Sequence, residues 1–175
     1  EKIGIEIKQD ILENHLEPVY LAIGSNIGNR VNNINIACHL LRNFSSIIKI
    51  SSIYETDSWP NKDFPKYLNI ILKCNTKLDL FTLLTNIKKI EKKLGRKSKK
   101  KNFPRTCDID IIDYKSIIFK SKFVEIPHPR LYNRNFVLFP LFEIEKTWKH
   151  PKTKISIDKL LKNLNIKSLR SIKIL

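Results

Sequence analysis

The chain has 175 residues, a size that fits one domain with at most a small appendage. It is 42% hydrophobic and carries 33 Lys and Arg against 17 Asp and Glu. That is enough apolar material for a true core, no run approaches the roughly 18 apolar residues of a membrane span, and no secretory leader pattern is present. A basic excess of +16 ordinarily points to a polyanionic partner. Here much of it is local, because Lys92, Lys93, Arg96, Lys97, Lys99, Lys100, Lys101 and Arg105 follow one another without an acid between them.

Taken in chain order, residues 1–17 precede the first clear strand and read as an appended segment or linker, with 18–175 as the domain. The chain starts at Glu1 rather than Met, which reads as an excised or processed piece. "VYLAI" at 19–23 predicts a short buried strand, and "GSNIGNR" a turn that opens a helix from about 29 to 43. "IIKISSIYETD" predicts a strand near 47–57, followed by an exposed loop in "SWPNKDFP". "YLNIILKCNT" predicts a strand at 67–75.

Asp79 is a capping residue for a helix over 80–94. Its Leu80, Leu83, Leu84, Ile87, Ile90 and Leu94 form one apolar stripe, and Gly95 is its natural stop. The basic run is too charged to pack and reads as a loop. "TCDIDIIDY" predicts a strand, with "IIFKS" expected to pair with it as a hairpin. "FVLFPLFEI" predicts a buried helical segment interrupted by Pro140, and "SIDKLLKNL" a short C-terminal helix. The order strand, helix, strand, strand, helix, strand predicts an α+β fold: a ferredoxin-like split β-α-β core, mainly antiparallel, with helices packed on it and C-terminal additions.

The three cysteines, Cys38, Cys74 and Cys107, form no CxxC pair and read as reduced, buried thiols of a cytoplasmic protein. The chemistry points instead to Asp108 and Asp110. Alternation along a strand puts both on one face, where like charges side by side call for something positive between them. Hard oxygen ligands without His or Cys favour Mg²⁺ shared with substrate phosphates. Arg105 lies three residues upstream behind Pro104, and His128, Arg130 and Arg134 lie downstream, supplying donors suited to phosphate oxygens. No P-loop or kinase glycine loop is present.

"YLAIGSNIGNR", "SSIYETDSWP", "FPKYLNIIL", "IEKKLGR", "PRTCDIDII" and "PHPRLYNRNFVLFPLFEI" occur together and in order. Across residues 19–164 the chain resembles the 6-hydroxymethyl-7,8-dihydropterin pyrophosphokinase family of folate biosynthesis. The resemblance implies a ferredoxin-like core and transfer of pyrophosphate from ATP to the pterin, with no nucleic acid or membrane partner. It also implies possible fusion to a neighbouring folate-pathway enzyme.

By the same resemblance, Asp108 and Asp110 hold two Mg²⁺ ions, and Arg96 and Arg105 serve catalysis. Glu91, Arg105, Ile111, His128 and Arg134 belong to the ATP side. Thr56, Asp57, Trp59, Tyr67, Asn69 and Phe136 belong to the pterin pocket, and the loops around 57–66 and 95–105 are expected to close over the substrates. Phe103, Asn102, Pro129 and Trp59 depart from the family's usual residues. Two other readings stand beside this one: a ferredoxin-like RNA-binding module, and a two-metal nuclease using the same Asp pair.

Overall fold

A computed structural model describes residues 18–58, 61–96 and 103–175. Its central sheet is built by β1 (Val19–Ser25), β4 (Tyr67–Asn75) and β5 (Asp108–Tyr114), extended by β2 (Ser46–Ile50) and β3 (Tyr54–Thr56). The strands run in the order β5-β1-β4-β3, with β2 also on β4. All of these pairings are antiparallel. This is the expected split β-α-β arrangement.

One face carries α1 (Arg30–Leu41) and α2 (Leu80–Lys93). Each begins on a side chain that satisfies orphan amides: Asn29 accepts from Asn32 N–H, and Asp79 accepts from Phe81 and Thr82 N–H. Gly95 ends α2 with φ +83°, a conformation that favours glycine. Beneath the two helices, Val19, Leu21 and Ile23 of β1 pack with Leu68, Ile70 and Leu72 of β4 and Leu83 and Ile87 of α2, forming the larger core.

The opposite face is covered by α3 (Asn135–Ile144) and α4 (Ile157–Lys162), which bury Tyr20, Ile71 and Ile112 against Val137, Leu138, Leu141 and Leu160. An RNA-binding module of this fold needs exposed aromatic platforms on that surface. The helices cover part of it, and the rest presents Asp108 and Asp110, acids where an RNA backbone would lie, so the RNA-binding reading loses its footing.

Four local expectations change. The single strand predicted over 47–57 is two pieces. Between them Ser51 exchanges its hydroxyl and N–H with the main chain of Ile71, which breaks the ladder. Residues 117–121 do not pair with β5: after Tyr114 the chain turns through Lys115 and Ser116, both at positive φ, and Asp113 accepts Ser116 N–H. Phe119–Lys120 (β6) pairs instead with Glu125–Ile126 (β7). The segment around Pro140 is one continuous helix, because its apolar residues are gripped by the second core on both sides of the proline. After α4 the chain forms α5 (Ile166–Arg170) and β8 (Ile172–Ile174), which adds a further strand on β3.

Candidate active site

Register places the predicted site residues in one row. Asp108 pairs with Gly24, Gly24 with Asn69, and Asn69 with Tyr54; Asp110 pairs with Ala22 one step along. Partners in register share a face, so Asp108, Asp110, Asn69 and, two residues on, Tyr67 all face the α3 side. Ile111 follows the opposite parity. Its side chain is buried in the larger core, which leaves its main chain on the strand that carries the carboxylates.

Gly24 is where the row narrows. A Cβ at this position would stand 3.0 Å from Asn69 Oδ1 and 3.4 Å from Tyr67 Cδ1. The bare backbone lets both side chains lie across β1 toward the carboxylates. Gly24 opens the turn expected at "GSNIGNR" but lies inside β1, where a glycine is a sign of close backbone approach. Asn69 Nδ2 donates to Thr56 Oγ1 at 3.1 Å, and both side chains are buried. Asp57 pairs with Lys66 at 3.5 Å. Trp59 lies outside the described residues, as do 97–102 of the basic loop, so loop closure finds no description here.

The carboxylates stand among cations. Arg96 Nη1 lies 2.9 Å from Asp108 Oδ1 and also bonds Glu91 Oε1, while Arg105 Nη1 lies 3.1 Å from Asp108 Oδ2. Arg134 Nη1 is 2.9 Å from Asp110 Oδ2, with His128 Nε2 3.7 Å from the same oxygen. Glu91 sits 2% exposed on α2, where it accepts Ile109 N–H at the open edge of β5 and pairs with Lys88 at 2.9 Å. Four permanent cations (Lys88, Arg96, Arg105, Arg134) thus face three carboxylates, leaving the cluster with a surplus positive charge suited to a polyanion.

Burial works against the charged form of Asp110. The positive charges offered by His128 and Arg134 outweigh it and hold the carboxyl below its ordinary range. Burial lowers His128, with Arg134 and Arg130 adding to the effect against the pull of Asp110. Arg134, a guanidinium 2.9 Å from Asp110 Oδ2, contributes both charge and a hydrogen bond to that lowering. His128 Nδ1 accepts Arg130 N–H at 3.2 Å, while Nε2 lies 3.4 Å from Arg134 Nη1 and 3.7 Å from Asp110 Oδ2. Burial raises Glu91 despite Lys88, Ile109 N–H and Arg96.

The loop bearing His128 and Arg134 is pinned by His128 N–H to Ile112 O at 3.0 Å, then enters a 3₁₀ turn at Leu131–Asn133 and α3. Arg134 lies over the Phe136 ring, 5.4 Å from its centroid, within the range of a cation–π contact. Phe136 itself packs on the second core.

The donor set fits Mg²⁺. Two hard carboxylates project from one strand face, about 7 Å apart at the backbone, without thiolates. Among the described residues no three His, Cys, Asp or Glu side chains gather closely enough to hold a metal alone. A cation here would need further oxygens from a substrate, as Mg²⁺ commonly takes from phosphates.

An α+β fold with an acidic pair inside a cationic ring, beside a buried polar-aromatic row, is that of an enzyme acting on a polyphosphate. The family model of 7,8-dihydro-6-hydroxymethylpterin-pyrophosphokinase matches residues 20–146, and the chain belongs to that family. It is 44% identical over 133 residues to the 2-amino-4-hydroxy-6-hydroxymethyldihydropteridine pyrophosphokinase of Aquifex aeolicus, covering 76% of this chain and 83% of that one. The enzyme of the same name from Bacillus subtilis is 40% identical over 127 residues, covering 71% and 76%.

The folic acid synthesis protein FOL1 of Dictyostelium discoideum is 38% identical over 146 residues, 83% of this chain and only 22% of that protein. Wild-type Plasmodium falciparum HPPK-DHPS with SDX-DHP shares the fold at a TM-score of 0.67 and 17% identity. That match covers 90% of this chain and 47% of the other. This chain therefore spans most of the single-function relatives and a minor part of the longer ones. Among the described residues no helix is long and apolar enough to cross a membrane.

Proposed function

We propose that the chain performs its family's reaction at the Asp108–Asp110 face: transfer of the β,γ-diphosphate of ATP to the hydroxymethyl group of 6-hydroxymethyl-7,8-dihydropterin. The hydroxyl oxygen bonds to the β-phosphorus, and the bond from that phosphorus to the bridging oxygen of the α-phosphate breaks. AMP departs with the bridging oxygen, and the hydroxyl proton passes to solvent. The observation that carries this reading is the row Asp108–Gly24–Asn69, which joins the acidic pair directly to a buried amide beside Tyr67.

Each residue has a task in this reading. Arg96 and Arg105 exchange Asp108 for phosphate oxygens, and Arg134 does so from Asp110, holding the triphosphate in line. Glu91 keeps Arg96 at the rim. Asn69 reads the polar edge of the pterin, while Tyr67 and Phe136 supply ring faces and Thr56 orients the Asn69 amide. Mg²⁺ held by Asp108 and Asp110 together with the nucleotide would supply neutralisation of phosphate charge and polarisation of the phosphoryl oxygens. The cytoplasmic assignment rests on three free, buried thiols, Cys38, Cys74 and Cys107, which suit a reducing compartment.

The test is AMP release from ATP with and without the pterin. Pterin-dependent AMP supports the reading; polynucleotide cleavage without it would return the nuclease alternative, which the family relationship does not favour.

A further inference from the structure

Asn26 is 1% exposed at the end of β1, and its side-chain bonds run to two segments far apart in sequence. Oδ1 accepts Arg105 N–H at 2.7 Å, while the Asn26 main-chain N–H donates to Arg105 O at 3.1 Å, so the Arg105 residue is gripped at both its amide and its carbonyl. On the other side, Nδ2 donates to Ser58 Oγ at 3.2 Å and to Pro65 O at 3.1 Å. The partners fix the orientation of the amide, because a backbone N–H can only donate and a backbone carbonyl can only accept.

Both arms end beside substrate residues. Ser58 follows Thr56 and Asp57, and Pro65 stands two before Tyr67. Ser58 Oγ donates to Pro65 O at 2.5 Å, which draws these two positions together, and Arg30 donates to Lys66 O at 2.8 Å next to them. At the other arm, the Arg105 side chain reaches Asp108 at 3.1 Å and Phe103 O at 3.2 Å. The carboxamide is planar and rigid. A shift of Ser58 and Pro65, which accept from Nδ2, must tilt Oδ1, and with it the peptide from which the Arg105 guanidinium springs. No solvent reaches the amide to replace a bond that is lost.

We infer that Asn26 is a positioning residue that couples the pterin side of the site to Arg105, so that occupation of one side strengthens binding at the other. This rests on the function proposed above. A purely structural Asn26 would stabilise the fold and leave the two ligands independent. The rings of Phe64 and Phe103, with centroids 5.9 Å apart, offer a competing link between the same segments.

The experiment is calorimetric titration of the full chain with the pterin, with and without a nonhydrolysable ATP analogue and Mg²⁺. The ratio of the two pterin Kd values is the coupling factor, which linkage makes the same for either ligand. Asn26→Asp keeps the acceptor for Arg105 N–H and deletes both donors; Asn26→Ala deletes both arms; Ser58→Ala removes one acceptor together with the Ser58–Pro65 bond.

The expected result is a factor well above one in the wild type, about tenfold smaller in both Asn26 variants and intermediate in Ser58→Ala. In single-turnover assays the Asn26 variants should lose rate in the chemical step more than ATP affinity. Should Asn26→Ala fail to fold, the other two variants carry the same comparison. Variants that lower Tm yet keep the full factor overturn the inference, as does an active wild type with a factor of one. A wild type that releases no AMP sinks the functional reading and this inference with it.

Discussion

Gly24→Ala places one methyl group where three strands of the site meet. The new Cβ would stand 3.0 Å from Asn69 Oδ1 and 3.4 Å from Tyr67 Cδ1, whereas ordinary contact starts at 3.4 Å. The Asn69 amide must therefore retreat by about 0.4 Å, and it is already committed to Thr56 Oγ1 at 3.1 Å. A retreat of that size stretches the bond toward the limit at which it ceases to count, at a cost of about 0.5–1.5 kcal/mol. Crowding of the packed row adds about 1–3 kcal/mol. The less flexible unfolded chain returns about 0.4–1 kcal/mol.

The net expectation is a loss centred on about 2 kcal/mol, read as a Tm lower by roughly 4–8 °C for a chain of this size. The functional signature is more specific. KM for the pterin rises about tenfold, since 1.4 kcal/mol is a factor of ten, while KM for ATP stays within about twofold. Steady-state AMP release with each substrate varied in turn measures both. An unchanged pterin KM, or an equal rise for ATP, would refute the reasoning that Gly24 is bare to let Tyr67 and Asn69 cross it.

Asp110→Ala should lower turnover by at least about a hundredfold while part of the pterin affinity survives in calorimetry; near-normal turnover would remove Asp110 from the polyphosphate site. Burial pushes the Cys74 and Cys107 thiols up to about 12, so iodoacetamide at pH 8 should leave both unmodified in the native protein and label them after unfolding. Mass spectrometry reads the difference, and rapid native labelling of either would contradict their enclosure. Burial would raise Glu145, but its bond to Lys73 prevails and holds it below its ordinary value of 4.5. The stability from this pair is present above about pH 4.5 and is lost as pH falls through the lowered value. Lys73→Ala should therefore cost about 1 kcal/mol at pH 7 and converge on the wild type in acid; a pH-independent difference would show that packing, not charge, is lost.

Patterns with a single dominant cause could be read from the chain alone. The α2 stripe, its Asp79 cap and its Gly95 stop all act within one helix, and the helix runs Leu80–Lys93 as its spacing predicts. Strand alternation likewise put Asp108 and Asp110 on one face. Misreadings arose where a distant partner decides. Ser51 breaks its strand by bonding Ile71 twenty residues away; the turn after Tyr114, by contrast, is local, with Asp113 accepting Ser116 N–H and β6 sent to β7. Pro140 ordinarily weakens a helix, yet α3 continues because the second core holds Val137, Leu138, Leu141 and Ile144.

Ile111 alternates with Asp110 and Ile112, so its side chain joins the core while the carboxylates face the site. Asn26 carried no local signal beyond a turn. Its role depends on Arg105, Ser58 and Pro65, which no spacing rule brings together.

A crystal structure of the protein with the pterin, Mg²⁺ and a nonhydrolysable ATP analogue tests the central claim most directly. The polyphosphate should lie over the Asp108–Asp110 face, with Arg96, Arg105 and Arg134 moved from carboxylate to phosphate oxygens and the pterin against Asn69 and Tyr67. Nucleotide bound away from that face, with the three arginines still on their aspartates, would contradict it.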